Sequence, residues 1–372
     1  MEVLKKKRVW VLLLLPAAWI ILYIAKRNMF FAEEIMAKRV YKVLSVIVSQ
    51  FTGLFSFSFA EITVFVVPFL AMFFLIRFIV HMVKEKERRF ERGMLALLNV
   101  GCVISVGYFV YVVGCGVNYH RASITQYTEL TVRDSSKEEL AALCDELAER
   151  ASELREQLVK YEDENGVFEI PISDWTLRKL AKESYEELAK ELPVFERYYP
   201  VPKGIKVSEW FSKMELTGIF TCWTMEANVN THIPDYSIPS TMTHELAHVA
   251  GFMKEEEANY IAYLACMASE SPIMQYSGLM HALVYAGNAL ADQDRTLYSE
   301  LWTKYHPGIV RDFKANSEYW DRYRDTVISK AAGKVNDVYL KANEQEDGVK
   351  SYGRVVDLLL AEYRKRQEER GN

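Results

Sequence analysis

The sequence predicts a mainly helical protein with a small β element, an α+β fold, in which three N-terminal transmembrane helices precede an external domain. Half of the 372 residues are hydrophobic, yet nearly all long apolar runs lie before about residue 117. Charged sequence with apolar residues at helical spacing dominates after residue 121. We therefore expect a membrane anchor over residues 1–120 and an external domain over residues 121–372.

The three apolar runs are long enough to cross a bilayer, and they cover about residues 9–25, 62–83 and 94–117. The first run lacks the small-residue cleavage pattern of a signal peptide, so we interpret it as a retained helix. The segment 32–55 after it combines mixed charge with helical apolar spacing. Such a segment is expected to lie flat on the outer membrane surface.

Basic residues predict the orientation of the anchor. They cluster at Lys5–Arg8 before the first span and at Lys84–Arg92 between the second and third spans. With three spans these two segments share one side, which the positive-inside rule assigns to the cytoplasm. The external domain is then outside, although Lys38, Arg39 and Lys42 in the first external loop run against this assignment.

The external region predicts helices on both sides of a short strand region. The pattern of residues 135–166 predicts a long helix that Ser135 or Ser136 caps and Gly166 ends. The pattern of residues 173–193 predicts another helix. Residues 203–239 alternate β-branched and aromatic residues with polar ones between proline and glycine, which is typical of strands and loops.

Charge and cysteine content exclude some functions. The net charge is −5 and no basic face with interleaved aromatic residues occurs, so we expect no nucleic-acid partner. The five cysteines form no CxxC pair, which argues against a thiolate zinc site. Cys222 and Cys266 could form a disulfide on an oxidising side, but free buried cysteines are the favoured interpretation.

One short motif carries the chemistry. His244, Glu245 and His248 form the pattern HExxH, and the alternative to a metal site is a chance match. Histidines four residues apart lie on one helix face, so both imidazoles can bind one metal ion. Glu245 lies beside that face and can take a proton from metal-bound water. Gly251 follows and is expected to end the helix in the left-handed conformation.

A catalytic zinc ion needs a third protein ligand and an open position. Glu255, Glu256 and Glu257 follow the glycine at the start of the next predicted helix. Glu255 and Asn259 are four residues apart, which favours Glu255 as the ligand with Asn259 supporting it, and Glu257 is the rival. An acidic first turn favoured by the helix dipole is the alternative. The prediction is one Zn²⁺ per chain.

These residues resemble known families. HExxH followed by a Glu-x-x-Ala-Asn helix resembles the gluzincin zinc metallopeptidases, whose third ligand is the glutamate three residues before the alanine, here Glu255. The wider pattern resembles a bacterial membrane family, the domain of unknown function 3810, through FSFSFAEI (55–62), EANVN (226–230) and HELAHVAGF (244–252). The resemblance implies a zincin-like fold, peptidase character and a bacterial plasma membrane location.

The same resemblance indicates where a substrate would lie. The segment 218–230 sits where zincins hold the edge strand that pairs with an extended substrate, and an ordinary core strand is the alternative. The candidate residues on this strand are Trp223, Glu226 and Asn228. Donors to an oxyanion are usually Tyr or His residues of later helices, and the candidates for oxyanion or substrate contacts are His281, Tyr285, Tyr352 and Arg354.

The leading hypothesis is a membrane-anchored zinc metallohydrolase, a peptidase that acts on peptide or protein substrates at the cell envelope, with Glu245 as the general base. One alternative is a non-catalytic envelope scaffold, or a peptide- or cell-wall-binding protein, with a structural or vestigial metal site. Another is a signalling or assembly component with structural zinc. Glu245 argues against the scaffold, because a pure binding site needs no general base. The three predicted ligands argue against structural zinc, because structural sites tend to have four ligands.

Overall fold

The computed structural model describes residues 7–343 and 354–371. It contains two compact units, one of Met1–Ala122 with Thr221–Met225 and one of Ser123–Phe220 with Glu226–Asn372. The α-helices of the first unit are α1 Leu14–Ala25, α2 Lys42–Gly53, α3 Phe59–Lys84 and α4 Arg89–Gly114.

Three helical stretches of the first unit are long and apolar enough to span a membrane. They cover Arg8–Ala25, Phe59–Lys84 and Lys86–His120, which confirms the three apolar helices predicted from the sequence. The first and third include 3-10 segments at Lys7–Leu13, Lys86–Arg88 and Gly116–His120.

The segment between the first two spans is helical, with a π-helix at Phe31–Tyr41 that continues into α2. Helix α2 is amphipathic, and its polar face is the buried one, with Ser45, Ser49 and Thr52 buried. The Thr52 hydroxyl donates a hydrogen bond to the Thr224 carbonyl oxygen at 3.1 Å, inside the first unit. The outward side of α2 is apolar, with Val43, Ile47 and Phe51 exposed.

The second unit is mainly helical, and one large apolar core packs its helices together. Its first helices are α5 Thr125–Thr128, α6 Lys137–Gln157, α7 Asp174–Glu191 and α8 Ser208–Lys213. The helices after the sheet are α9 Ile238–Val249, α10 Glu255–Ala268, α11 Pro272–Gln293, α12 Arg295–Lys304, α13 Pro307–Asp321, α14 Val327–Ala342 and α15 Val355–Gly371.

The strands form one small sheet, with β1 Lys203–Gly204, β2 Gly218–Thr221 and β3 Glu226–Val229 in the order β1-β3-β2. Strand β1 runs parallel to β3, with Lys203 opposite Asn228. Strand β3 is therefore central and fully buried. Strand β2 forms an outer edge of the sheet.

Two helix predictions can be compared with the structure in detail. Ser136 caps α6 in a capping box with Glu139, as one of the two predicted caps. The predicted end at Gly166 is wrong, because α6 ends at Gln157 and Gly166 instead lies in a later turn with a φ of 74°. The backbone N–H groups of that turn bond to the Asp163 side chain, which competes with helical hydrogen bonding.

The predicted alternative of a Cys222–Cys266 disulfide is wrong, because both thiols are free and buried. Cys222 belongs to the first unit, where its carbonyl oxygen lies against Gly114. Cys266 belongs to the second unit, where its sulfur lies 3.4 Å from the Thr243 hydroxyl. Burial raises the pKa of each thiol to about 12, so neither is a reactive thiolate.

Candidate metal centre

Helix α9 carries the HExxH motif in the middle of the second unit. Its first turn contains Pro239, whose missing N–H is harmless at a helix start. The Tyr185 hydroxyl donates to the Thr243 carbonyl oxygen at 2.6 Å and ties the helix to α7. The imidazole rings of His244 and His248 lie on one face, with centroids 4.8 Å apart.

A tight turn brings the next helix back over the histidines. The backbone N–H of Gly251 bonds to the His248 carbonyl oxygen, and that of Phe252 bonds to the Ala247 carbonyl oxygen. Gly251 has a φ of 94°, the left-handed conformation predicted from the sequence, which an L-residue rarely adopts. Because the chain reverses within these few residues, α10 begins at Glu255 beside the two imidazoles.

Three possible metal-ligating atoms converge at this point. Glu255 Oε2 lies 3.3 Å from His244 Nε2, and Glu255 Oε1 lies 3.8 Å from His248 Nε2. All three groups offer atoms within 4.8 Å of one another, and no other such cluster occurs in residues 7–343 and 354–371. Ligands about 2.0–2.1 Å from a tetrahedral zinc ion are about 3.4 Å apart, so the cluster has suitable dimensions.

The His248 ring is oriented from its other nitrogen. Nδ1 donates a hydrogen bond to the Phe252 carbonyl oxygen at 2.8 Å, which leaves the Nε2 lone pair pointing towards Glu255. Burial, with the nearby His244 charge, lowers the pKa of His248 to about 4, so this ring is neutral at pH 7. A neutral imidazole is the form that binds a metal ion.

His244 titrates differently because it lies closest to the carboxylate. Burial alone would lower the pKa of His244, but the hydrogen bond and charge of Glu255 outweigh it and raise this pKa. The Glu255 carboxylate therefore favours the protonated form of His244. A bound cation would replace that proton, because metal binding displaces protons from its ligands.

Glu245 is buried between α9 and strand β2. Its Oε2 atom has no hydrogen-bond partner. Burial, partly offset by His244, raises the pKa of Glu245 to about 8. A Cβ atom at Gly218 on β2 would lie 2.5 Å from Glu245 Oε1, so only glycine allows the strand to approach so closely. Glu245 is thus held at the cluster without being part of it.

A second layer of polar residues comes from α10 and α11. His281 Nε2 donates to Asn259 Oδ1 at 3.2 Å, and Asn259 Nδ2 is buried without a hydrogen-bond partner. The Tyr285 ring packs edge-on against His281, with centroids 4.9 Å apart. Burial and the nearby Glu255 carboxylate hold the pKa of Tyr285 well above its usual 10, so its hydroxyl keeps its proton.

Other predicted site residues lie elsewhere. The rival ligand Glu257 faces away from the imidazoles and accepts a hydrogen bond from the backbone N–H of Ile124 at 3.2 Å. Arg354 pairs with Glu256 at 3.2 Å. Tyr352 lies outside the described residues.

The predicted edge-strand residues require a correction. Glu226 and Asn228 lie on β3, the central strand, so their assignment to an edge strand is wrong. Glu226 pairs with Lys203 Nζ at 2.5 Å, and Asn228 Nδ2 donates to the Ile219 carbonyl oxygen, so both hold the sheet together. Trp223 lies in the turn between β2 and β3 rather than on a strand. The edge is β2, with Ile219 partly exposed on it.

Sequence reasoning missed the contribution of β2. Phe220 on this strand packs near His248, with ring centroids 6.2 Å apart, and Gly218 contacts Glu245. A glycine inside a strand pattern is a known sign of close approach by another group, so Gly218 was the available signal. The contact of Tyr185 with Thr243 had no such signal, because the two residues are 58 positions apart.

The fold and site define a mainly helical protein with three candidate membrane spans and a partly buried His-His-Glu cluster on two consecutive helices. The chain belongs to the family described as "Protein of unknown function (DUF3810)", which matches residues 37–360. Neither a curated protein nor a solved structure matches the chain.

Proposed function

We propose that this protein is a membrane-anchored zinc-dependent hydrolase that cleaves peptide bonds at the cell envelope. The observation that carries the proposal is the convergence of His244, His248 and Glu255 within 4.8 Å, with Glu245 beside them. Two histidines and one carboxylate leave a fourth position open, which is typical of catalytic rather than structural zinc sites.

The chain's own residues fit such an ion. His248 is neutral and fixed through Nδ1 by the Phe252 carbonyl oxygen, an arrangement common among metal-ligating histidines. Burying the Oε2 atom of Glu245 without a hydrogen-bond partner costs free energy, unless a ligand or a water molecule supplies that hydrogen bond. Both features support an occupied metal site in the working protein.

Each residue has a defined part in the proposed reaction. A bound zinc ion would supply Lewis acidity that polarises the scissile carbonyl and acidifies water. A bound cation would lower the pKa of Glu245 from about 8, and the ionised carboxylate then accepts the proton of the attacking water and transfers it to the leaving nitrogen. The Tyr285 hydroxyl, on α11, is the proposed donor of a hydrogen bond to the developing oxyanion. Asn259 and His281 orient one another and hold this wall of the site.

Strand β2 is the proposed substrate platform. It is an outer strand of the sheet, and an extended peptide can add to such an edge through main-chain hydrogen bonds. Gly218 on this strand touches Glu245, so a peptide paired with β2 lies next to the proposed general base. This geometry favours extended peptides over compact small amides.

The proposed location is a bacterial plasma membrane, with the N-terminus in the cytoplasm and the second unit outside. The basic segments Lys5–Arg8 and Lys84–Arg92 support this orientation. In intact cells, a membrane-impermeant maleimide is expected to label Ser317→Cys on α13 but not Glu87→Cys in the link between spans. The opposite labelling pattern would refute the orientation.

Metal content is the first test of the site. The full chain in lipid nanodiscs is expected to hold one zinc per chain, with zinc lost in His248→Ala and Glu255→Ala. Glu256→Gln is the matched control from the same helix turn, because its carboxylate pairs with Arg354 instead. A folded wild-type chain that takes up no zinc would refute the enzyme.

Activity is the second test. Glu245→Gln removes the base but no ligand, so it is expected to keep its zinc and lose peptide hydrolysis by about 10²–10⁴-fold. The assay is a library of quenched fluorescent peptides with the zinc-loaded full chain. Stoichiometric zinc without cleavage in either variant or wild type would instead support the non-catalytic envelope scaffold.

A further inference from the structure

Helix α14, Val327–Ala342, presents an apolar face to solvent. Successive helical residues are about 100° apart, which places its apolar side chains on one continuous arc of about 140°. Val327, Val335 and Val338 on this arc are 86%, 71% and 67% exposed. The members of the arc are Val327, Ile328, Ala331, Ala332, Val335, Val338, Tyr339 and Ala342.

The protein core does not need this face. The buried residues of α14 are Ser329 and Leu340, which lie on the opposite side of the helix. The apolar arc therefore lies away from the buried side of the helix and faces outward. Contiguous exposed apolar surface of this kind marks an interaction site rather than a solvated helix face.

Positive charge borders the arc on one side. Lys330, Lys334 and Lys341 lie within about 60° of its edge, by the same angular spacing. Three lysines against the single Asp337 give α14 a net charge of +2, in a protein whose net charge is −5. Lys334 forms no ion pair with the described residues, so its charge is available to a partner.

From this arrangement we propose that α14 lies in the interface of a bilayer that contains anionic lipids and holds the second unit against it. An apolar arc flanked by lysines is the pattern of helices that bury one face at the headgroup boundary. The chain has three candidate membrane spans, which would tether the second unit to a bilayer. Tethering raises the effective concentration of lipid, and a single helix then suffices for attachment.

A second copy of the chain fits this face less well. Two α14 helices packed through their arcs would bring two rows of lysines together. Asp325 and Asp337 pair with Lys330 and Lys341, which leaves the charge of Lys334 on each helix without an offset. Anionic headgroups complement the same lysines and also accept the valine face. The proposal does not depend on the metal site, since no residue of α14 belongs to it.

The test uses the full chain with Cys102→Ser, since the other cysteines are buried. A nitroxide label at Val335→Cys or Val338→Cys is compared with one at Ser317→Cys, an exposed position on α13. The measurement is the ratio of collisions with oxygen, which partitions into lipid, to collisions with a water-soluble nickel chelate. It is made in nanodiscs with and without phosphatidylglycerol, and in amphipol without a bilayer.

In anionic nanodiscs the ratio at Val335 and Val338 is expected to exceed that at Ser317 several-fold. It should fall towards the Ser317 value in amphipol, in neutral nanodiscs, and in a Lys330→Glu/Lys334→Glu variant. Equal ratios at all three positions in anionic nanodiscs would overturn the proposal. So would labels shielded from both reagents in every medium, which indicate a protein segment as the occupant.

Two further results would also overturn it. Spin–spin broadening that disappears when labelled chains are diluted with unlabelled ones would identify a second copy of the chain as the partner. A ratio equally high in neutral nanodiscs would overturn the assignment of the partner to anionic lipid. Because zinc content is measured separately, failure of this proposal is distinguishable from failure of the proposed enzyme.

Discussion

The sharpest test of the site geometry is the substitution Gly218→Ala. The added Cβ would lie 2.5 Å from Glu245 Oε1, whereas ordinary contact begins at 3.4 Å. Strand β2 or the carboxylate must therefore move by about 0.9 Å, since 3.4 − 2.5 = 0.9. A misplacement of about 1 Å at reacting groups can cost about 10²-fold in rate, so we expect kcat to fall by about 10–100-fold.

The assay is peptide hydrolysis by the zinc-loaded full chain, together with its zinc content. Because Glu245 is not a proposed ligand, Gly218→Ala is expected to keep one zinc per chain. Overpacking should also lower the free energy of unfolding by about 1–3 kcal/mol. Gly333→Ala is the matched control, since a Cβ there meets nothing within 4 Å. Unchanged kcat in folded Gly218→Ala would refute the idea that β2 positions the base.

Three more outcomes are expected. Chelation should lower the free energy of unfolding by about 2.7 kcal/mol when free zinc had been about 100 times Kd, and His248→Ala should no longer respond to zinc. Asp312→Ala should cost about 3–5 kcal/mol, because it removes the buried partner at 2.8 Å from the fully buried Arg155, which keeps its ion pair with Glu162, and leaves the Tyr276 hydroxyl without this acceptor. Burial raises the pKa of Asp235 above 3.8, despite the hydrogen bond that its carboxylate accepts from the Ile170 N–H. The protonated Asp235 therefore contributes its full stabilisation below pH 3.8, and this stabilisation is lost as the pH rises through the folded-state pKa. Asp235→Asn should remove this pH dependence of the free energy of unfolding.

Each of these measurements has its own control. Lys304→Ala breaks an exposed pair with Asp145 and should cost under about 1 kcal/mol in the denaturation experiment used for Asp312→Ala. Equal losses in both would contradict the role of burial. If the free energy of unfolding of Asp235→Asn changed with acidic pH in the same way as that of wild type, the assigned titration of Asp235 would be contradicted. A melting temperature insensitive to chelator in the zinc-loaded wild type would argue against the metal site.

Much of the His-His-Glu cluster could be predicted because its residues are close in sequence. Helical periodicity puts His244 and His248 on one face, and the positive φ of Gly251 reverses the chain so that Glu255 returns to them. The three apolar spans were equally accessible, because a bilayer imposes a length and composition on each of them. Helical periodicity and segment hydrophobicity, which are read from neighbouring residues, therefore predict both the cluster and the spans.

The remaining features depend on tertiary contacts. The centre of the sheet could not be distinguished from its edge, because the pairing of β1 with β3 is a tertiary contact that the alternation along one strand does not reveal. The choice of Glu255 over Glu257 depended on the exact turn, and Glu257 is used by the backbone N–H of Ile124. The early end of α6 likewise reflects side-chain hydrogen bonding around Asp163 that no helical periodicity reveals.

The turn Thr221–Met225 limits whether the second unit can be joined to a different membrane anchor. It follows β2 directly, yet it clusters with the N-terminal unit, where Thr224 accepts the hydrogen bond from Thr52. A fragment that starts at residue 121 would contain this turn but would lack the helices that the turn packs against. Grafting the second unit onto an unrelated anchor should therefore disturb the strand beside Glu245.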